Sequence, residues 1–435
     1  MLTHGQGVAA ILDNMRQVAK GETWESIASG LGVGVGELQA ANPDMSGRKL
    51  KRGEWLIVPA KSADPSPVLP EEGGEEQSRH ALPEGSQRAA VSDLKVGVLL
   101  PFGDARMVEF YRGLLMAADS VRRDGQVNLE IHAWDCGTTV AQIDPLLAGL
   151  NGLDIVFGPA SATQMPAVCE TCKEQGTRLV LPFWGGQALL DYPLVYNATA
   201  PGTTLYSTAV RKMVSLFGGK NYVIVNSADG SGLGGHLRES VSQELSLRSA
   251  TPRTLELEGD EFAYESAFNQ FRDNVVIPPD SSIRSLNILT SRLKDFQGKH
   301  PQYRISLVGY PGWLNETSWL LGDLYRFDTY IISPYYYNVR DGRTKSFQAA
   351  YEKTFHTPIV RNAPCYAAFG FDLGCYFLGG VGSMGDAFEQ EHDGILQNPY
   401  QSLFRFERSA SGMSFTNSFV QFIHFTPDEK IELIR

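Results

Sequence analysis

The chain is expected to be an α/β protein: a small βααβ module, a flexible linker, then a two-lobed body of doubly wound parallel sheets. Three observations lead there. From Leu94 onward, short apolar runs ending in Gly, Pro or Ser alternate with helical patterns, the rhythm of a parallel sheet covered by helices. That rhythm restarts near residue 200, which asks for two lobes. Residues 16–60 carry their own start and stop signals, and a Pro/Gly-rich charged stretch separates them from the body.

Length and charge narrow the class. A chain of 435 residues exceeds the roughly 250–300 residues at which single cores stop growing, so two or three domains are expected. A net charge of −11 argues against nucleic acid, which is held by clustered Lys and Arg. No apolar run approaches the roughly 18 residues that span a bilayer. The start, MLTHGQGVAAILDNMRQ, has no basic segment before an apolar stretch and no Cys to lipidate, so either the chain is cytosolic or its export signal lies outside this sequence. The five cysteines describe no disulfide framework. Cys169 and Cys172 form a CxxC pair in a helical stretch without a second pair at zinc spacing, and packing is the plainer role for them. No metal or cofactor is expected.

In the module, Lys20-Gly21-Glu22-Thr23 supplies a turn after a short strand, with Thr23 placed to cap a helix. Trp24, Ile27, Ala28 and Leu31 form one apolar face, and Gly32 is placed to end the helix. A second short helix runs from Val35 to Ala41 and stops at Asn42-Pro43. KRGEWLIVPA then reads as a strand closed by Pro59. KGETW with Ile27-Ala28, Asn42-Pro43 and LKRGEWLIVP together resemble the LysM domain almost end to end. Gly34 departs from it, standing where a better helix-capping Ser or Thr is common. The resemblance implies binding of N-acetylglucosamine-containing glycan, usually peptidoglycan, between two loops: Gly21, Glu22, Thr23 and Trp24 on one wall, Asn42, Pro43, Asp44 and Met45 on the other. For Trp24 a place in the core of its own helix is the plainer reading, ahead of direct sugar contact. Arg48, Lys49, Lys51 and Arg52 are either a solvated loop or a partner for acidic stem peptides. Residues 61–93 read as a disordered acidic linker with a reach of about 30 Å or more.

The body is expected to run from 94 to 435. Strands are read at KVGVLLPF, LEIHAWD, DIVFGP, RLVLPFW, YVIVNS, TLELEG, SLNILT and ISLVGY, with helices between, including one along VAQIDPLLAGLN and another from about His236. The last stretch, alternating around Ser409 to Gly412, reads as a terminal hairpin. Val96-Gly97-Val98-Leu99-Leu100-Pro101, Phe110-Tyr111-Arg112-Gly113, Phe157-Gly158-Pro159-Ala160-Ser161 and Tyr366-Ala367-Ala368-Phe369-Gly370-Phe371-Asp372, in this order and spacing, resemble the type 1 periplasmic binding proteins, especially the branched-chain amino-acid binders. The resemblance implies a first lobe of about 94–200 with part of 334–435, a second of about 201–333 with the C-terminal segment, three strand crossings between them, and a ligand in the cleft.

Open α/β sheets bind at the carboxyl ends of their strands. That rule gives the cleft candidates Phe102, Asp104, Asp135, Ala160, Ser161, Thr163, Phe183, Trp184, Gly185, Asn226, Asp229, Tyr310, Trp313, Tyr335 and Tyr336, with Tyr337 beside them. Ser161 and Thr163 also begin a helix, where backbone N–H groups favour a carboxylate. In the amino-acid binders this loop is helped by a Thr after the fourth strand. Here Pro182-Phe183-Trp184-Gly185-Gly186 offers bulk and no hydroxyl, so a muropeptide stands beside an amino-acid-like solute.

The expected function is that of a non-enzymatic, peptidoglycan-associated binding protein outside the cytoplasm, periplasmic or at the cell wall, of the kind that serves ABC transporters. A ligand-free adaptor or regulator of a cell-wall enzyme is the alternative. A nucleotide-dependent enzyme using Gly230-Ser231-Gly232-Leu233-Gly234-Gly235, with Glu256 and Glu258 behind it, is a weaker third, because Asn226 to Asp229 separate the strand from the first Gly. No hydrolase motif such as HExxH or GxSxG appears.

Overall fold

The computed structural model describes residues 15–17, 23–31, 34–40, 49, 55–57, 93–124, 127–183, 192–226, 234–408 and 414–435. These fall into two compact units.

In the first, β1 (Met15–Gln17) and β2 (Trp55–Ile57) pair antiparallel, Met15 opposite Ile57 and Gln17 opposite Trp55. Helices α1 (Trp24–Leu31) and α2 (Val35–Ala40) lie between them in sequence, giving the expected order of strand, helix, helix, strand. The Thr23 hydroxyl accepts the Ser26 N–H at 3.3 Å while the Ser26 hydroxyl accepts the Thr23 N–H at 2.8 Å. This is a reciprocal cap with Ser in place of the usual Glu or Gln. Trp24, Ile27, Ala28 and Leu38 are buried, so Trp24 is a core residue of its helix. Gly21, Glu22, Asn42, Pro43, Asp44, Met45, Gly32 and the linker up to residue 92 lie outside the described residues.

The second unit holds two seven-stranded sheets. In chain order come β3 (Asp93–Leu100), α3 (Ala105–Asp124), β4 (Asn128–Asp135), α4 (Val140–Ile143), β5 (Ile155–Phe157), α5 (Met165–Gln175), β6 (Arg178–Leu181) and β7 (Val195–Asn197). The second lobe follows with α6 (Gly202–Leu216), β8 (Asn221–Asn226), α7 (Gly234–Leu247), β9 (Arg253–Glu256), α8 (Glu261–Ala267), β10 (Asn274–Ile277), α9 (Ile283–Lys299), β11 (Ile305–Gly309), α10 (Thr317–Arg326) and β12 (Thr329–Ser333). Helices α11 (Gly342–Phe355) and α12 (Tyr366–Gly374) precede β13 (Phe406–Arg408), β14 (Phe415–Asn417), β15 (Gln421–Phe425) and β16 (Ile431–Ile434). The first sheet runs β13-β14-β7-β6-β5-β3-β4 and the second β16-β15-β12-β11-β10-β8-β9. All neighbours are parallel except β13/β14, β12/β15 and β15/β16. The chain passes between the lobes three times, at 198–201, 334–341 and 418–420.

Three expectations are corrected. SLNILT lies within helix α9, where Ser282 caps the first turn at 3.2 Å and Leu286, Leu289, Leu293 and Phe296 repeat at helical spacing on the buried face. The strand of that repeat is β10, a run buried on both faces that shows no alternation in sequence. VAQIDPLLAGLN makes one α turn and then a 3-10 helix, Asp144–Leu150, because Pro145 cannot continue the α ladder. The terminal stretch is two hairpins in two sheets: β13 and β14 flank the expected turn in the first lobe, and β15 and β16 complete the second.

Helices α3 and α12 touch backbone to backbone. A Cβ on Gly113 would lie 1.9 Å from the Ala367 carbonyl oxygen, and one on Gly370 would lie 2.0 Å from that of Phe110. Cys169 and Cys172 are buried on α5 against Leu179 and Val195.

Candidate ligand cleft

The first sheet places β3 between β4 and β5, so the loops leaving β3 and β5 diverge and open a crevice at their carboxyl ends. Gly158, at φ +105°, lets the β5 exit close on β3, since a Cβ there would lie 2.0 Å from the Leu99 carbonyl oxygen. In this crevice sits a cavity of about 600 Å³. Asp104 and Arg106 come to it from the start of α3, Ala160 and Ser161 from the β5 exit, and Phe183 from the β6 exit. Tyr335 arrives on the second crossing, Tyr366 and Phe369 on α12, and Gln401, Ser402 and Asn417 from the C-terminal segment.

The charges are paired. Arg106 Nη2 donates to Asp104 Oδ2 at 2.6 Å, its Nε donates to both carboxylate oxygens at 3.1 Å, and its backbone N–H reaches Oδ1 at 2.9 Å. The guanidinium holds the Asp104 carboxyl below the usual carboxylate range, and the carboxylate raises the guanidinium in turn. Arg106 also lies over the Tyr366 ring, 5.9 Å from its centroid.

The expected carboxylate loop is turned on itself. The Ser161 hydroxyl donates to the Thr138 carbonyl at 2.9 Å, Thr163 reaches the same oxygen at 3.2 Å, and the two hydroxyls are 2.9 Å apart. Two protons serve three contacts, so neither hydroxyl has a proton left over for a ligand in this arrangement. Aromatic side chains form the rest of the wall. Phe183 packs edge-on to Phe110 at 4.9 Å and lies 6.0 Å from both Tyr366 and Phe369.

Two buried amides tie the cavity to the crossings. Asn417 accepts the N–H groups of Arg405 at 3.0 Å and Phe419 at 3.1 Å and donates to the Ala198 carbonyl at 3.1 Å. Gln401 accepts the Cys365 N–H at 2.6 Å, and its own carbonyl accepts the Tyr336 N–H at 3.0 Å. Beneath them the Asp372 carboxylate accepts the N–H groups of Tyr400, Gln401 and Ser402, each at 2.8 Å.

Of the residues expected from strand ends, Asp104, Ala160, Ser161, Phe183 and Tyr335 line this cavity. Phe102 packs on Tyr111 at 5.2 Å, and Asp135 accepts the N–H groups of Phe102 and Gly137 at 3.2 Å, fixing the loop rather than facing the cavity. Thr163 stands behind Ser161. Asn226 donates to Glu256 at 2.9 Å and accepts from Arg238, all within the second lobe. Tyr310 and Trp313 are corrected to core residues. They are 1% and 0% exposed, their polar atoms donating to the carbonyls of Pro278 at 3.4 Å and Ser281 at 3.1 Å. Of the three tyrosines, Tyr336 packs on the second-lobe core and Tyr337 on α11 and α12. Trp184, Gly185, Asp229 and Gly230 to Leu233 lie outside the described residues. The strand-end rule missed Arg106, Tyr366, Phe369, Gln401, Ser402 and Asn417; Arg106, two residues past Asp104, and Asn417, the last residue of β14, were within its reach.

Among the described residues no cluster of His, Cys, Asp or Glu could hold a metal ion, and no helix is long and apolar enough to cross a membrane. No protein-family model matches the chain, and no curated protein matches it significantly. Solved structures do. A protein of Rhodospirillum rubrum described as a branched-chain amino acid ABC transporter superimposes with a TM-score of 0.57 at 13% identity, over 79% of this chain and 100% of that one. A branched-chain amino acid ABC transporter periplasmic ligand-binding protein of Burkholderia xenovorans gives 0.50 at 13% identity, over 79% and 94%. The two-lobed body therefore has the fold of the type 1 periplasmic binding proteins.

Proposed function

We propose that the chain is an extracytoplasmic binding protein, without enzymatic activity, whose body holds a small solute in the interlobe cleft and whose N-terminal module holds N-acetylglucosamine-containing glycan such as peptidoglycan. The observation that carries the solute reading is the cavity of about 600 Å³ at the switch point of the first sheet, tied by Gln401 and Asn417 to all three crossings. A cavity of this size lies in the range of small-molecule sites. Among the described residues its one acid is engaged by Arg106 and no His lines it, which supports holding over conversion. For the module, the support is the βααβ order and the Thr23 cap beside the sugar loop of the LysM pattern; its glycan residues Gly21, Glu22, Asn42, Pro43, Asp44 and Met45 remain part of the proposal.

Thermal shift of the full chain against amino acids, aromatic acids, N-acetylglucosamine and muramyl dipeptide tests the solute. A bound ligand at about 100 times its dissociation constant adds roughly 2.7 kcal/mol of stability. Co-sedimentation with purified peptidoglycan sacculi tests the anchor: residues 1–92 fused to a carrier are expected to pellet, and recovery only in the supernatant would remove the glycan role. One observation favours the adaptor reading, namely the internal engagement of Ser161 and Thr163. No shift with any compound would decide for it.

A further inference from the structure

Resting on that solute-binding reading, we propose that the cleft selects a ring-bearing carboxylic acid lacking an α-ammonium group, with Arg106 as its anion anchor. The guanidinium is presented for this. Asp104 takes the Nε and Nη2 side of the fork, and an arginine has five N–H donors in one plane. Asp104 does not take the Nη1/Nη2 edge, the edge that grips a carboxylate with two parallel hydrogen bonds; Tyr366 is the other side chain that reaches the guanidinium, and a bound carboxylate would share it with that ring. The side chain is 60% exposed where it meets the cavity. Asp104 thus acts as the positioning residue, and because Arg106 keeps its carboxyl ionised to low pH, the orientation persists in mildly acid solution.

An ammonium group has no such reception. Among the described lining residues Asp104 is the one carboxylate, and it already holds Arg106. Asp135 is outside the lining and accepts two backbone N–H groups. A zwitterion would therefore bring a cation beside Arg106 with no free anion to meet it, at a desolvation cost. The remainder of the cavity suits a ring. Phe183 is fixed by Phe110 and faces Tyr366 and Phe369, so stacked and edge-on aromatic contacts are available without reordering side chains. At the floor, Ser402 is 5% exposed, its backbone is fixed by Asp372, and its hydroxyl has no partner among the described residues. It can donate to or accept from a polar substituent on the ring.

The test uses the full chain and matched probes in calorimetry. 3-(4-Hydroxyphenyl)propionate and tyrosine differ by one ammonium group; 3-phenylpropionate and 3-phenylpropionamide differ by the carboxylate. Each acid is expected to bind at least about tenfold more tightly than its counterpart. Arg106→Gln, shown by an unchanged unliganded melting temperature to be folded, should lose at least about tenfold for the acids, and Arg106→Lys should recover only part of it. The proposal is overturned if tyrosine binds as tightly as its des-amino analogue, if the amide matches the acid, or if Arg106→Gln leaves acid affinity unchanged. Binding of amino acids or muramyl dipeptide without any acid also overturns it while leaving the solute-binding reading standing. No binding by any probe removes both.

Discussion

Cys169 and Cys172 show how a motif and its surroundings can disagree. Burial takes both side chains out of solvent contact and pushes the Cys172 thiol up to about 12, so the Cys172 thiolate, the form that attacks disulfides and binds metals, is scarce at neutral pH. In the native protein at pH 8 these two cysteines are expected to stay unlabelled by a small thiol reagent while all five react after unfolding, as mass spectrometry of the labelled peptides would show. Rapid native labelling of either would contradict their burial. The same separation of position from environment explains Tyr310 and Trp313. Strand ends are legible as a change of composition, but which way a ring turns there is decided by packing from elements distant in sequence, here α9 and the loop before it. Arg106 lay two residues past Asp104, and its role depends on an ion pair that spacing alone does not display.

At the level of elements, two motifs far apart in the chain turn out to be one contact. Phe110-Tyr111-Arg112-Gly113 and Tyr366 to Asp372 lie about 250 residues apart in the sequence; the structure packs them as the crossing of α3 and α12, with a glycine from each side. Gly370→Ala is expected to destabilise the body by ~3 kcal/mol, because the added carbon meets a backbone carbonyl that cannot rotate away; urea denaturation measures this, and a loss near zero would mean the helices slide apart freely. Asp372, on the same helix, carries a pH dependence. Burial pushes its carboxyl from the ordinary 3.8 to about 7. Between those values the folded chain keeps a proton that the unfolded chain has released, so this group's contribution is full at low pH and is lost as pH rises toward 7, by at most ~4 kcal/mol. Asp372→Asn should flatten that slope while lowering stability throughout, since one carbonyl oxygen cannot accept the three N–H groups that the carboxylate does. Equal slopes in unfolding free energy from pH 4 to 7 would sink this account. Helix α9 and strand β10 mark the limit of pattern reading: a strand buried on both faces has no alternation to betray it, and β-branched residues inside an amphipathic helix imitate one.

For the whole molecule, the two-lobed architecture was legible because alternation and its restart are properties of long segments, whereas the cavity floor was not, because Gln401, Ser402 and Asn417 reach it only after the second crossing has returned the chain to the first lobe, far in sequence from β3 and β5. The three crossings give the body its connectivity. Asn417, 3% exposed, joins the first crossing at Ala198 to the third at Phe419 and fixes Arg405 beside them. Replacing it with Ala strands two N–H groups and one carbonyl in a buried place, a loss of ~3 kcal/mol. The position predicts more than the size. Strands on either side remain paired in their own sheets, so the loosening should stay in the connections: hydrogen exchange in Asn417→Ala is expected to quicken at the Arg405 and Phe419 amides and along 198–201, while the amides of β3 and β10 keep their protection relative to the lowered global stability. Quickening spread evenly through both lobes would show that Asn417 supports the fold at large and does not link the cleft to its crossings.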